Sequence, residues 1–375
     1  MKVTFLLENL QKELPFLNHA VSLRTQLPIL SNFLLQANKG KLKICATDLE
    51  IGIIVEVPAR VEEEGETAVP AKPLSDLLGS VKNESLSFET KEKTLEIGGK
   101  GLKSIFQTAP AEDFPKLFEE KGEELVSLKK GAIEKDLQKV VFAASQDSSR
   151  PAFSGVLIKQ DKEGVLMVAT DAHRLSLKIS PGTKTKTAKG LAKPILVSSK
   201  TLRVLLNRKT SGDVSVFVSN KNNQIIFIED QTILVGRLID AEYPEYDKII
   251  PGDFSTRVEF DRNEMMGAVR TASVFARETA NIIKFSVRKE GLQISAKTQG
   301  LGENTVDVAA KTTGEENEIA FNGRYLLDLL SNVEEETMVF EMTGPLNPGV
   351  FKIAKDDTFI HLIMPIRVRD EELRE

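Results

Sequence analysis

The feature that most constrains the fold of this chain is an internal repeat, which has to be sought before single motifs are interpreted. The stretches KLKICATDLEIGIIVEVP (41–58) and VLMVATDAHRLSLKISP (165–181) each contain an alternating apolar segment, then ATD, then a second alternating segment. The stretch GLQISAKTQGLGENTVDVAA (291–310) is a weaker third copy, in which SAK replaces ATD. Two further landmarks recur in the same order: strand–helix patterns at 69–81, 196–208 and 320–333, and proline-containing segments at 112–117, 242–250 and 363–368.

The repeat predicts three domains in tandem. Its period of about 120 residues is far longer than that of solenoid repeats, and it is enough for an independent core. We place the domains at residues 1–123, 124–252 and 253–375, the last of which ends in a short charged tail, 369–375.

Each copy has the pattern of helices combined with antiparallel sheet. Turn residues at Lys39-Gly40 and at 221–223 separate alternating segments, as hairpins require, and residues 85–99 alternate through a charged turn. Strict strand–helix–strand alternation is missing, which favours an α+β fold over a parallel α/β fold. A helical pattern opens each copy, and we predict these helices at Leu10–Val21, Ile133–Ala144 and Asn263–Phe275.

Composition places the chain among ordinary globular proteins, with 41% hydrophobic and 28% charged residues and a net charge of −5. Cys45 is the only cysteine, so no intrachain disulfide can form, which fits a reducing compartment. The segment MKVTFLLENLQKEL does not have the pattern of a signal peptide, and no apolar run approaches the ~20 residues of a membrane span. We therefore expect a soluble cytoplasmic protein without contact to a membrane.

The repeat also suggests a mode of assembly. Similar domains in tandem meet through head-to-tail interfaces, which close into a ring or continue as a filament. If each domain turned the chain by about 60°, two chains would close a ring of six domains. Basic residues recur on the helices, and a shared basic face would suit sequence-independent contact with phosphates, although ordinary solvated helix faces are the alternative. These residues are Lys12, Arg24, Lys72, Lys135, Lys139, Arg150, Lys200, Arg203, Arg262, Arg270, Arg277 and Arg324.

Five motifs in register across the copies resemble one known family, the bacterial sliding clamps, which are the beta subunits of DNA polymerase III. The resemblance covers essentially the whole chain in the right order. It implies three tandem clamp domains, with two helices packed on antiparallel sheets in each. It also implies a head-to-tail homodimer that forms a closed ring around double-stranded DNA, without catalytic activity, cofactor or metal. The motifs are RTQLPILSNFLLQ (24–36), ATDLE (46–50), ATDAHRLS (169–176), DAEYPEYDKIIP (240–251) and MPIRV (364–368).

The resemblance further implies a peptide pocket between the second and third domains. The partners that dock there are the catalytic subunit of DNA polymerase III, the clamp loader and other proteins with a short clamp-binding motif. In such a pocket a methionine would provide an adaptable apolar surface, and Arg174 and Arg367 could hold carboxylates or carbonyls at the rim. Carried over position by position, the pocket residues are Phe153, Thr170, Ala172, His173, Arg174, Leu175, Pro244, Lys248, Ile249, Leu362, Ile363, Met364, Pro365, Ile366, Arg367 and Val368.

The same resemblance indicates residues for DNA contact and for the dimer interface. Three departures from the family pattern stand out: Pro151-Ala152-Phe153 replaces a pair of aromatics, Ala172 replaces a usual glycine, and the tail 369–375 is additional. The tail is a candidate competitor for the pocket. The DNA candidates are Arg24, Lys72, Gln146, Arg150 and Lys200, and the interface candidates are Phe106, Val274 and Phe275.

Two other functions compete with this interpretation. Asp171 and His173, at i and i+2 on a strand, would point the same way and resemble half of a catalytic triad. However, no nucleophile elbow accompanies them, and His19 and His361 lack metal-ligand spacing. The remaining alternatives are a purely structural histidine and a peptide-binding scaffold that does not encircle DNA.

Overall fold

The structure is a computed structural model that describes residues 1–22, 26–117, 122–147, 149–181, 193–208 and 212–367. Every strand pair among these residues is antiparallel, as the sequence predicted. Within them, no helix is both long enough and apolar enough to cross a bilayer.

The first copy opens with a strand and two short helices. The single helix predicted at Leu10–Val21 is wrong, because the helix is interrupted and a second one starts with Pro15 in its first turn, where the missing N–H is tolerated. The elements are β1 (Lys2–Leu6), α1 (Leu7–Gln11), α2 (Leu14–Leu17), β2 (Asn32–Asn38), β3 (Lys41–Thr47), β4 (Ile51–Glu63), β5 (Gly65–Pro70), α3 (Ala71–Ser80), β6 (Ser85–Lys91), β7 (Thr94–Gly99) and β8 (Leu102–Gln107).

The second copy repeats this order. Its opening helix begins and ends three residues before the predicted bounds. The elements are β9 (Glu123–Lys129), α4 (Lys130–Val141), α5 (Pro151–Ser154), β10 (Gly155–Gln160), β11 (Gly164–Thr170), β12 (Arg174–Pro181), β13 (Ile195–Ser198), α6 (Ser199–Asn207), β14 (Asp213–Ser219), β15 (Gln224–Glu229) and β16 (Thr232–Arg237).

The third copy has the same order with one additional strand. Its opening helix, predicted at Asn263–Phe275, is confirmed with one more residue at each end. The elements are β17 (Thr256–Asp261), α7 (Arg262–Ala276), β18 (Ile282–Arg288), β19 (Gly291–Thr298), β20 (Gly302–Val308), β21 (Ala310–Gly314), β22 (Asn317–Asn322), α8 (Gly323–Asn332), β23 (Thr337–Met342), β24 (Gly349–Ile353) and β25 (Asp356–Ile363).

The predicted hairpin turns follow from local backbone preferences. Lys39 and Gly40 connect β2 to β3, and both have positive φ values, 47° and 76°. Two consecutive positive φ values are typical of the type I′ turns that match strand twist. Asn223, between β14 and β15, also has a positive φ of 53°, which asparagine tolerates better than most residues.

Two compact units divide the chain, and the division runs through the second copy. One unit contains residues 1–131 and 200–238, and the other contains 132–181, 193–199 and 239–367 of the described chain. In the first unit β4 pairs with β16, and in the second unit β12 pairs with β25. The fourth strand of one copy therefore pairs with the last strand of the next copy. We call each of these two pairings, β4 with β16 and β12 with β25, a joint, and each joint lies inside a single unit.

Each unit has its own buried core. In the second unit, four phenylalanines meet edge-on or tilted, with ring centroids 4.9–5.9 Å apart. A smaller cluster lies under the β12–β25 joint and includes Leu175 and Leu362. The corresponding cluster in the first unit is made of Leu34, Cys45 and Ile54 with Phe114.

Candidate functional site

The ATDAHR motif forms a tight turn between β11 and β12. The Thr170 hydroxyl donates to the carbonyl of Arg174 (2.6 Å) and accepts from the amide of Ala172. One oxygen of Asp171 accepts from the amides of His173 and Arg174, at 2.9 and 3.0 Å. Ala172 has a φ of 78°, in the left-handed region. The side chains of Thr170 and Asp171 therefore build the turn, which explains why threonine and aspartate stand there.

The ATDLE motif of the first copy forms the same turn. Thr47 donates to the carbonyl of Ile51 (2.8 Å), and Asp48 accepts from the amides of Glu50 and Ile51, at 3.0 and 2.9 Å. Leu49 has a φ of 75°, matching Ala172. The repeat seen in the sequence is thus a repeated hydrogen-bonded turn.

The predicted alignment of Asp171 and His173 on one strand is wrong, because both residues lie in the turn before β12. The carboxylate of Asp171 accepts from the backbone amides of His173 and Arg174 and from the Nε of Arg174 (3.0 Å), and none of these donors is the imidazole of His173. A catalytic His oriented by Asp requires that missing bond.

Arg174 connects the turn to α8. Its Nε donates to Asp171, its Nη1 donates to Asp328 (2.6 Å) and its Nη2 donates to the carbonyl of Phe142 (3.1 Å). The guanidinium also lies 4.6 Å from the ring centroid of Tyr325. Only 9% of the side chain is exposed. The rim role that the sequence suggested for this arginine is therefore not what the structure shows: the side chain is a nearly buried connector.

His173 and Met364 lie side by side at the surface. The amide of Met364 donates to the carbonyl of His173 (2.8 Å), which continues the β12–β25 ladder past its last pair. The His173 ring stacks on Tyr325 with centroids 6.4 Å apart. Both His173 and Met364 are exposed, and Pro365 and Ile366 are partly exposed beside them. The turn and the MPIR segment thus form one apolar and aromatic surface.

Four predicted pocket residues lie beneath this surface. Leu175 pairs with Leu362 across the ladder, and both are buried in the cluster under the joint. Thr170 and Ile363 are buried as well. These residues are placed to support a binding surface, while the exposed atoms available to a partner come from their neighbours.

The segment 239–250 borders the same sheet. Tyr243 and Tyr246 pack against the cluster under the joint, and the Tyr243 hydroxyl donates to the carbonyl of Val168 (3.2 Å). Burial raises the pKa of this hydroxyl. The predicted residues Pro244, Lys248 and Ile249 are exposed on this segment, and Lys248 pairs with Glu245.

Phe153, Arg367 and Val368 complete the predicted pocket residues. Phe153 lies in α5, partly exposed, with the Arg150 guanidinium 5.3 Å from its ring centroid. Arg367 is exposed. Val368 and the tail 369–375 lie outside the described residues.

Several residues of this surface were missed by the sequence interpretation. Tyr325 and Asp328 come from α8, and Leu346, which is exposed, lies in the loop before Gly349, which pairs with Ile363. The spacing of Tyr325 and Asp328 on one helical face was a possible signal. No sequence signal indicated Leu346, because its position depends on the pairing of distant strands.

A buried histidine lies behind the surface. His361 on β25 has its Nδ1 2.6 Å from the Ser176 hydroxyl and stacks on Phe142. Its Nε2 has no hydrogen-bond partner among the described residues. Burial lowers the pKa of His361 well below its ordinary value, and the positive charge of Arg174 lowers it further. This ring is therefore neutral at pH 7.

The four predicted DNA-contact residues that the structure describes are exposed, but the cations among them have carboxylate neighbours. Lys72 on α3 pairs with Asp76 (2.7 Å), and Arg150 pairs with Asp147 (3.4 Å). Gln146 is exposed in the loop after α4. Arg24 lies outside the described residues.

Lys200, at the start of α6, has two carboxylate partners. It contacts Asp48, in the turn of the first copy, and Glu50 at 3.1 Å. Partial burial lowers the pKa of Lys200, but the hydrogen bonds and charges of Asp48 and Glu50 outweigh burial, and the pKa is raised. Lys200 is therefore cationic at pH 7.

The predicted interface residues lie on one sheet edge and one helix. Phe106 is partly exposed on β8, which is the end of its sheet, and its neighbour Ile105 is 58% exposed. Val274 is exposed on α7, and Phe275 packs partly against the core of the third copy.

No group of three or more acidic, histidine or cysteine residues among the described ones could hold a metal ion. This surface presents apolar side chains, aromatic rings and a few polar groups.

Comparison with known proteins agrees with the repeat. Family models match the three copies separately: the N-terminal domain of the DNA polymerase III beta subunit at residues 1–118, the central domain at 127–245 and the C-terminal domain at 247–367. The fold class is therefore three tandem clamp domains with antiparallel sheets, as the sequence predicted. Because the three matches follow one another along nearly the whole chain, the chain belongs to the DNA polymerase III beta subunit family.

Relatives support this assignment over the full length. The beta sliding clamps of Synechococcus elongatus and Bacillus subtilis are 29% and 26% identical, and each match covers 98% of this chain and 100% of the relative. The DNA polymerase III subunit beta of Pseudomonas aeruginosa superposes with a TM-score of 0.88 at 26% identity, covering 98% of this chain and 100% of the other. The Bacillus subtilis clamp structure, at 24% identity and a TM-score of 0.91, shares the fold.

Proposed function

We propose that this chain is a DNA sliding clamp, a processivity factor of DNA replication that works in the cytoplasm without catalysing a reaction. Membership of the beta subunit family carries this proposal. Its mechanism is topological: a closed ring cannot leave circular DNA, while weak phosphate contacts permit sliding. Lys72, Gln146, Arg150 and Lys200, with Arg24, are the proposed DNA contacts.

The proposed ring is a head-to-tail homodimer, and the internal repeat supports it. In both joints, the fourth strand of a copy pairs with the last strand of the next copy. The equivalent fourth strand in the third copy is β20, and the equivalent last strand in the first copy is β8; both end their sheets. Pairing β20 of one chain with β8 of a second chain would repeat the joint, and two such pairings would close a ring.

Apolar side chains at these edges favour the pairing. Ile105 on β8 is exposed, and Leu301, 54% exposed, lies directly before β20. Since α7 packs on β19 and β20, Val274 and Phe275 would border the new ladder together with Phe106. Domain bounds at 1–123, 124–252 and 253–375 belong to the same proposal.

The proposed docking site is the surface formed by the ATDAHR turn, the MPIR segment and residues 244–249. A partner peptide would contact His173, Met364 and Ile249 and be supported by buried residues such as Leu175 and Leu362. The proposed occupants are the catalytic subunit of DNA polymerase III, the clamp loader and other proteins with a clamp-binding motif. Methionine suits such varied partners because its side chain adapts.

A fluorescent peptide with a Gln-Leu-Phe type motif tests this site. We expect micromolar binding by the unaltered chain, and loss of binding in the double variant His173→Ala with Met364→Ala. Phe254→Ala, an exposed apolar residue outside the proposed site, is the matched control and should bind normally. A double variant that binds as tightly as the unaltered chain would exclude this surface as the site.

A further inference from the structure

A second groove lies at the joint between the first and second copies. It has a volume of about 200 Å³ and is lined by Leu49, Gly52, Lys116, Leu117 and Arg237, among others. All lining residues belong to the first compact unit. The groove is formed by the ATDLE turn, the end of the first copy and the last strand of the second copy.

The groove is the structural counterpart of the proposed peptide site. The amide of Arg237 donates to the carbonyl of Glu50 (3.0 Å), as that of Met364 donates to His173 (2.8 Å). Leu49 and Ala172 occupy the same left-handed position of the two turns. Arg237 therefore stands where Met364 stands, and an exposed leucine stands where the other joint has alanine.

The side chains of this groove differ from those of the other joint. Gly52 occupies the ladder position of Leu175, and Leu117 packs over it, since a Cβ atom there would lie 3.3 Å from the Leu117 methyl carbons. The other joint is covered by Tyr243 and Tyr246. The remaining cavity is smaller than a typical ligand pocket, so it suits one inserted apolar side chain.

Charge at the mouth of the groove selects the occupant. Lys116 and Arg237 are exposed, and neither has a carboxylate within ion-pair distance among the described residues. Glu50, the acidic residue of the lining, contacts Lys200 at 3.1 Å. Unpaired cations beside an apolar cavity favour a ligand that carries carboxylates next to a hydrophobic side chain.

We propose that this groove binds an extended acidic peptide segment of a partner protein, with a leucine or phenylalanine in the cavity and its carboxylates on Lys116 and Arg237. The peptide nature of the ligand rests on the proposed function of the other joint. Each chain would then have two docking sites of different charge, and partners could be distinguished by the acidity of their motifs.

Anisotropy titrations test the proposal with two labelled hexapeptides, GDDLFG and its uncharged counterpart GNNLFG. On the unaltered chain we expect GDDLFG to bind about tenfold more tightly than GNNLFG. Arg237→Glu should abolish that preference, and Met364→Ala should leave it unchanged. Equal binding of the two peptides, or a preference that persists in Arg237→Glu, would overturn the proposal.

Thiol protection locates the bound peptide. Cys45 is buried and burial raises its pKa to about 12, so Leu49→Cys adds the one accessible thiol of the described chain. At several times the dissociation constant, GDDLFG should slow maleimide labelling of this variant about fivefold and leave labelling of Leu6→Cys unchanged. Equal labelling rates with and without peptide would place binding elsewhere.

A Gln-Leu-Phe peptide titrated in parallel separates the two proposals. If it binds and GDDLFG does not, only the second groove is rejected. If neither peptide binds, the proposed function of the first site fails as well.

Discussion

At the scale of single residues, Ala172 is a position where the chain departs from a favoured backbone conformation. Its φ of 78° lies in a region that glycine adopts freely and that costs an L-residue about 1–2 kcal/mol. The turn persists because Thr170 and Asp171 hold it with side-chain hydrogen bonds.

Replacing Ala172 with glycine should therefore stabilise the protein. We expect a gain of about 0.5–1 kcal/mol, because the relief of backbone strain exceeds the added entropy of the unfolded chain. Urea unfolding of Ala172→Gly measures the gain. Gly79→Ala, where a Cβ would meet nothing within 4 Å, is a control in which glycine is not needed. A loss of stability in Ala172→Gly would contradict this account of the turn.

His361 should make stability depend on pH. Its folded-state pKa is lowered by burial, so below its ordinary pKa of about 6.5 the unfolded chain binds a proton that the folded chain does not. Between pH 6.5 and pH 8 the contribution of His361 to stability should be constant, and below about pH 6.5 it should fall by up to about 1.4 kcal/mol per pH unit. Urea midpoints between pH 5 and pH 8 measure this slope. In His361→Gln the slope should be smaller, and an unchanged slope would assign it to other groups.

At the scale of elements, Arg174 joins α8 to the β11–β12 turn. Its three hydrogen bonds and its contact with Tyr325 are mostly shielded from water, whereas the ion pair of Lys135 with Glu334 is exposed. The contacts of Arg174 should therefore contribute more to the free energy of unfolding than the exposed ion pair of Lys135.

Replacing Arg174 with methionine should lower the free energy of unfolding by about 3 kcal/mol, because Asp171 and the Phe142 carbonyl lose their hydrogen-bond donor in a partly buried site. Lys135→Met breaks an exposed ion pair, so we expect its free energy of unfolding to change by no more than about 0.5 kcal/mol. Urea unfolding of both variants gives the comparison. Similar losses in the two variants would show that Arg174 does not connect these elements.

The sequence predicted the element order well, because turn residues and alternating patterns are local. It did not predict the interruption of the first helix near Pro15. The idea of a shared basic helix face is also wrong in part, since Lys139 is buried and pairs with Glu335. Such pairs depend on tertiary packing, and side chains 196 residues apart leave no local signal.

The sequence predicted the proposed docking site about as well as it predicted the order of the elements. The motif residues identified the right segments, but the sequence could not separate exposed His173 and Met364 from buried Leu175 and Ile363. That separation depends on tertiary structure: Leu175 and Ile363 lie in the strand ladder, whereas His173 lies in the turn before β12 and Met364 follows β25. Tyr325 and Asp328 come from α8, which the sequence identified only as part of a repeated strand–helix pattern.

At the scale of the whole molecule, the proposed dimer would pair two edges, β8 and β20, that end their sheets in the described chain. Ile105→Asp places a charge on the β8 edge, and we expect the dimer to dissociate to monomers at micromolar concentration. Leu346→Asp, which changes an exposed leucine away from both edges, should remain dimeric. Sedimentation equilibrium measures the mass of each. A dimer of unchanged stability in Ile105→Asp would place the interface elsewhere.

Retention on DNA tests the central claim most directly. The protein, placed on a nicked circular plasmid by the clamp loader of the same organism, is passed through gel filtration at high salt before and after the plasmid is cut once. A closed ring that encircles DNA should stay with the circle and leave the linear DNA, because salt screens phosphate contacts but cannot open the topological link. Loss from both forms at the same rate would contradict the claim that the chain is a sliding clamp.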